Sequence, residues 1–213
     1  MATGDLQTTS IAAIDRPTRE RLGHIDLIAP FSYHRPMIDT VGVVADIKPA
    51  ALLEGDHATV EALAHIEGIY SVALDYPDAT GKVISKDPDL AKHLQSLLVD
   101  SRILCDEGYI PDDQHREIGR ILGYPRTATD YFIERAKHRR THRRYPNEAW
   151  LEAVPLFHRH IAGFIFSPNH YPEEIEEYSA KLAEALRAYA PNTYRSLWNE
   201  TVGQSAAKRF ILP

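Results

Sequence analysis

The chain contains a single cysteine, Cys105, in 213 residues. One cysteine closes no internal disulfide and supplies no thiolate metal cage, which fits a reducing compartment. Long apolar runs are missing as well. No stretch approaches the roughly 18 apolar residues of a membrane helix, and the N-terminal MATGDLQTTSIAAIDRPTRERLG lacks the basic-then-apolar order of a secretory signal. The cytoplasm is therefore the expected location. An excess of positive charge is absent too: 24 Lys and Arg stand against 30 Asp and Glu, for a formal net charge of -6. Such a chain is repelled by polyanions, so neither nucleic acid nor a membrane surface is an expected partner.

The familiar chemical signatures are equally scarce. There is no P-loop, no dinucleotide-binding glycine fingerprint, no His-Glu-x-x-His and no Cys-x-x-Cys. No serine stands in a Gly-x-Ser-x-Gly turn, which removes a serine-hydrolase reading. Cys105 is flanked by Asp106 and Glu107, whose charge raises a thiol pKa and disfavours a nucleophile. No internal repeat or low-complexity tract is visible.

What is present is a globular composition, 44% hydrophobic and 25% charged, long enough to bury a substantial core. Residues 1 to about 22 are polar, with Asp15-Arg16-Pro17-Thr18 as a turn signal, and read as a loose N-terminal arm. Residues 23–104 read as a small α/β lobe. In it, VGVVADI and PAALLEG are short β-prone or apolar runs, and Asp56-His57-Ala58-Thr59 starts a helix over ATVEALAHIEG that Gly68 stops. YSVALDY and VISK are strands joined through PDATGK, where Asp75 and Asp78 serve the turn, and Asp87-Pro88 opens the helix DLAKHLQSLLVD.

Residues 105–213 read as a helical lobe. Pro111-Asp112-Asp113 suits a helix N-terminus, and a second helix runs from near Thr127 to about His138, burying Tyr131 and Phe132. The basic joint KHRRTHRR, Lys137 to Arg144, precedes NEAWLEAVPLFHRHIAGFIF, in which Pro155 ends or kinks any helix. Pro172-Glu173-Glu174 opens an amphipathic helix with Ile175, Tyr178, Leu182, Ala185, Leu186 and Tyr189 at helical spacing, stopping at Pro191. The fold class is α+β, with the short sheet of the N-terminal lobe packed on the helical lobe.

The stretch HREIGRILGYPRTATDYF concentrates the candidate chemistry. His115 shares a helix face with Ile118 and Leu122, so its imidazole points inward, as a general base, a metal ligand or a hydrogen-bonded packing residue. Arg116 and Arg120, one turn apart, suit a forked grip on a carboxylate or phosphate, or simple pairing with Asp112, Asp113 or Glu117. Tyr124 and Tyr131 can supply a phenolic proton. Further on, His158 and His160 alternate, and if that segment is extended they share a face with His170 near by, a set suited to iron, zinc or copper. If it is helical, the first two diverge. Lys137 to Arg144 can attract an anionic substrate or an acidic partner, or complement a helix end, and the four glutamates 173, 174, 176 and 177 can neutralise it.

His115-Arg116-Glu117-Ile118-Gly119-Arg120-Ile121-Leu122-Gly123-Tyr124-Pro125, followed by Thr129-Asp130-Tyr131-Phe132, resembles a prokaryotic family known as domain of unknown function 483. The resemblance extends from about Lys48-Pro49-Ala50, through Ile84-Ser85-Lys86-Asp87, to Ser167-Pro168 and the last helix, roughly 150 residues. Many members carry a cysteine pair just after the Gly-Tyr-Pro and further cysteines near the Ser-Pro, an arrangement that looks metal-binding. Here Thr127 and Ala128, and later Phe166 and His170, stand at those places, so no cysteine metal site carries over. His115, Arg116, Gly123, Tyr124 and Pro125 match. The family's activity is undefined, and the likeness implies a fold more than a function.

Together these features lead to an enzyme acting on a small anionic metabolite. Its histidine-centred acid/base or metal-assisted site would lie between the Gly-Tyr-Pro break and the histidine-rich segment. Eleven histidines and eleven tyrosines lean that way, since both residue types suit proton transfer. The alternative is a non-catalytic small-ligand-binding or regulatory module that docks an acidic partner through its basic segment. Substrate, reaction and self-association into a homo-oligomer stay open.

Overall fold

A computed structural model of the chain describes residues 14–28, 34–76, 79–106 and 110–210. The first thirteen residues of the expected arm, Asp78 of the expected turn, and the side chains of Asp75 and Cys105 lie outside that description. The rest of the arm is helical. Asp15 accepts from the Thr18 backbone N–H at 2.9 Å and caps α1, Arg16–Ile28, so Asp15-Arg16-Pro17-Thr18 is a helix start and not a free turn. Leu22 is fully buried in the core.

Helix α2, His34–Val44, contains the VGVV run, and every residue from Pro36 to Val44 is buried. A helix enclosed on all sides reads as a continuous apolar run, and tertiary burial overrides the β preference of its valines. β1, Ala50–Glu54, follows. Asp56 then caps α3, His57–Ala64, by accepting from Thr59 N–H at 3.0 Å. β2, Tyr70–Tyr76, and β3, Ala79–Ser85, form the expected hairpin. The sheet is antiparallel in the order β1-β3-β2, with Ser85 opposite both Ala50 and Tyr70.

The period of two along the strands sends side chains to opposite faces, and each face has its own cover. Ala51, Leu53 and Ile84 join the large cluster that includes α2 and α3. Ala50, Leu74 and Val83 pack under Ala91 and Leu94 of α4, Pro88–Asp106, together with Ile121 at the end of α5, Asp112–Ile121. Next comes α6, Arg126–His142, whose last turn absorbs the basic joint and ends on Arg143 in a left-handed conformation.

A 3-10 turn, Ala149–Ala153, stops short of Pro155, which opens α7, Leu156–Ala162. The amphipathic helix that follows is continuous but changes pitch: α8, Tyr171–Glu174, passes through a π-helical segment, Ile175–Ser179, into α9, Ala180–Tyr189. Pro191 then starts α10, Pro191–Phe210. Buried Asp26 of α1 caps it, accepting from the backbone of Asn192 and Thr193 and from the Thr193 hydroxyl at 2.6–2.9 Å. Leu182, Ala185 and Leu186 of α9 and Leu197 of α10 belong to the same cluster as Leu22, Met37 and Val41, so the first and last helices share one core. The protein is thus α+β with a helical C-terminal half, and no described helix is long and apolar enough to cross a membrane.

Candidate functional site

The Gly-Tyr-Pro break is a helix ending and a helix beginning with one aromatic between them. Gly123 has φ +74° and terminates α5: its N–H donates to Arg120 O at 3.1 Å, and Tyr124 N–H donates to Gly119 O at 2.8 Å, the paired bonds of a Schellman turn. A Cβ on Gly123 would lie 3.0 Å from Pro49 Cδ, so the break packs against Lys48-Pro49. Pro125 then leads into α6. α7 ends likewise on Gly163, also at φ +74°.

Between these two breaks lies a partly open cleft of about 480 Å³. One wall comes from α4, α5 and α6, with Leu98, Ser101, His115, Ile118, Thr129 and Phe132. Arg159 of α7, the segment Gly163, Phe164, Ile165 and Tyr124 line the space as well. The lining is mostly apolar and aromatic, with a few polar groups, as small-molecule sites are.

Several of those polar groups keep hydrogen-bonding capacity that no described residue uses. The Arg159 Nε is buried without any hydrogen-bond partner. His115 is half-buried with its ring edge-on to Phe132, 5.4 Å between centroids, and burial pulls its pKa below the ordinary 6.5 against the opposing pull of Asp112. Among the described residues nothing hydrogen-bonds its imidazole, which at neutral pH is an uncharged donor and acceptor. Burial likewise pushes the Tyr124 phenol up to about 12, which makes it a donor and not a base. Ser101 is 7% exposed, and its Oγ accepts from Gln114 Nε2 at 3.1 Å. Its own O–H has no acceptor among the described residues.

Behind Tyr124 and Gly163 sits a buried ionic cluster. Arg35 donates two bonds to Asp39, at 2.6 and 2.7 Å, and a third to the Ile161 carbonyl at 3.1 Å. Lys48, fully buried, donates to the same Asp39 at 2.5 Å. Its ammonium lies 5.4 Å from the Tyr124 ring centroid, and desolvation, reinforced by Arg35, lowers its pKa. From the π-helical segment comes Tyr178, 4% exposed, its hydroxyl without a partner among the described residues and its pKa raised by burial. Local widening to π geometry is a recurrent feature of functional sites. The cluster reaches the cleft at Gly163, where a Cβ would come within 1.9 Å of the Arg35 guanidinium.

The expected site residues separate on this frame. His115 and Tyr124 line the cleft. Arg116 and Arg120 do not: they are exposed and pair with Asp130 and Glu117, at 2.8 and 2.7 Å. Tyr131 donates to Glu148 at 3.1 Å and stacks edge-on against Trp150. The three histidines do not converge. Their segment begins as helix α7, so His158 and His160 diverge: His158 is hydrogen-bonded to Ser179 Oγ at 2.8 Å, while His160 and His170 are exposed. Among the described residues no group of three or more His, Cys, Asp or Glu is placed to hold a metal ion.

In the basic joint, Lys137 pairs with Asp112 and Arg139 donates to the Tyr145 hydroxyl at 2.7 Å. Glu174, one of the glutamates thought to neutralise that joint, is instead buried and accepts from Thr127 and from the backbone and hydroxyl of Ser167. Arg159, Ser101 and the Arg35–Asp39–Lys48 group were not expected. An Arg and an Asp four apart on a helix is a readable signal for the cluster. Arg159 lies between His158 and His160, and no local pattern marks it. Comparison with protein-family models, curated proteins and solved structures finds no match to this chain.

Proposed function

We propose that the protein binds a small organic anion with a large apolar body in the cleft between α4–α6 and the end of α7, Arg159 meeting the charge. One observation carries this reading: a guanidinium on the wall of a mostly apolar space of about 480 Å³, its Nε buried and unpartnered. A buried donor left without an acceptor is costly, and a carboxylate or phosphate entering the cleft supplies an acceptor for Nε and a counter-charge for the part-buried Arg159. The aromatic and aliphatic lining accommodates the remainder of such a molecule.

A catalytic form of the same reading gives His115 the role of acid or base on the bound anion. It is favoured by the free imidazole, which is neutral at pH 7 and faces the ligand space. Docking of an acidic partner by the basic joint has less support, since Lys137 and Arg139 are already engaged within the chain.

The test is calorimetric titration of 2-naphthoate against the neutral 2-naphthylmethanol, with wild type and Arg159→Gln. Saturable binding of the carboxylate in preference to the alcohol, weakened about 10- to 100-fold by the substitution, is the expected result, as losing a charge-assisted hydrogen bond implies. Equal affinity for the two compounds, or an unchanged carboxylate affinity in the variant, overturns the assignment of Arg159.

A further inference from the structure

Besides Arg159 the cleft has further polar lining. Ser101 on α4 and His115 on α5 both contribute, and Ser101 is held by Gln114. Its Nε2 donates to the Leu97 carbonyl and to Ser101 Oγ, both at 3.1 Å. This contact uses an acceptor lone pair of Ser101 and leaves its proton to be given away. The hydroxyl is more than nine-tenths buried, so among the described residues that proton has nowhere to go but the cleft. The His115 imidazole lines the same cleft without a hydrogen-bond partner among the described residues, and either neutral tautomer offers one nitrogen to accept and one to donate. The two groups together present a donor and an acceptor. A hydroxyl, which accepts through oxygen and donates its proton, satisfies both at once.

The rest of the lining includes the rings of Phe132, Tyr124 and Phe164 with Ile118, surfaces that receive a flat ring edge-on or offset. Resting on the anion-binding reading above, we infer that the ligand is a hydroxylated aromatic acid. Its carboxylate meets Arg159 and a hydroxyl on its ring system meets Ser101 and His115. A site built to pair a hydroxyl discriminates against the analogue that lacks it, because the buried groups are then left unsatisfied.

The experiment compares 6-hydroxy-2-naphthoate with 2-naphthoate by calorimetry in wild type, Ser101→Ala and His115→Phe, each variant first checked for a wild-type-like melting transition. The expected result is an affinity ratio of about five- to tenfold in favour of the hydroxylated acid, the worth of one or two net hydrogen bonds, falling to about one in each variant. Because the ratio is read within each protein, a general loss of fit in a variant cancels. Wild type that binds both acids equally, or a ratio that survives both substitutions, overturns the hydroxyl assignment and leaves the anion site standing. Failure of both acids to bind overturns both.

Discussion

Gly163→Ala tests how the cleft wall and the buried ion cluster are joined. Gly68 and Gly163 hold nearly the same backbone angle, φ +76° and +74°. A Cβ at Gly68 meets nothing within 4 Å, whereas at Gly163 it falls 1.9 to 2.2 Å from the atoms of the Arg35 guanidinium. At both positions alanine carries the strain of the left-handed conformation, about 1 kcal/mol. At Gly163 it must also expel the guanidinium from its two bonds to Asp39 and its bond to the Ile161 carbonyl.

Arg35 is 35% exposed and can swing into water, which returns part of the loss, and Asp39 keeps Lys48. A further cost of about 2 kcal/mol is what remains of charge-assisted bonds worth about 1.5–3 kcal/mol each. Urea unfolding should therefore give about 3 kcal/mol of destabilisation for Gly163→Ala against about 1 kcal/mol for Gly68→Ala. That difference is roughly 1 M in midpoint at an unchanged slope near 2 kcal/mol/M. In an Arg35→Met background the excess at Gly163 should vanish. Equal costs at the two glycines, or an excess that persists without Arg35, would refute the reasoning.

Three other expectations can be checked alongside. Asp39→Asn should destabilise by about 3–5 kcal/mol, because it leaves two cations sharing a buried site, while Lys48→Met leaves a neutral Arg35–Asp39 pair and should cost clearly less; the order of the two urea midpoints decides it. Arg116→Gln and Arg120→Gln should each change stability by less than about 0.5 kcal/mol and leave 2-naphthoate affinity unaltered, since both arginines sit in exposed ion pairs away from the cleft. Burial holds the pKa values of His115 and His158 below 6.5, so the folded state binds fewer protons than the unfolded chain. Stability should therefore fall as pH drops from 6.5 toward those lowered values, and midpoints that stay flat or rise between pH 7 and 5 would contradict the burial of the two rings.

Local signals carried much of the fold. Asp56 before Ala58-Thr59, Asp87 before Pro88, and the alternation in YSVALDY each name an element through a mechanism confined to a few residues, and each element is there. VGVV is β-branched yet helical because it is buried on every side, which no local signal announces. FHRH, open to an extended or a helical reading in the sequence, is helical, with Pro155 directly before its first turn. In the site, the placement of His115 and Tyr124 follows from the helix face and the Gly-Tyr-Pro break. Arg159 and Ser101 depend instead on which helices face each other across the cleft, and the pairing of Arg116 with Asp130 across the break depends on how α5 meets α6.

The charges explain why cleft and cluster belong together. Arg35, Asp39 and Lys48 carry one positive charge in excess, shared by the buried Lys48 and the part-exposed Arg35, and Arg159 adds a second on the neighbouring wall. A fold carries such an excess at a cost in stability, because desolvation is not repaid by pairing within the chain. Gly163, having no side chain, leaves the Arg35 guanidinium directly behind the wall, and Tyr124 touches the cleft on one side while Lys48 lies 5.4 Å from its ring. On the proposed reading, an anion in the cleft is attracted by Arg159 directly and by the surplus charge through a thin, poorly polarisable partition, where charges interact more strongly than in water. Ligand binding and folding stability then draw on the same positive excess, and a bound carboxylate raises the melting temperature by the linkage between them.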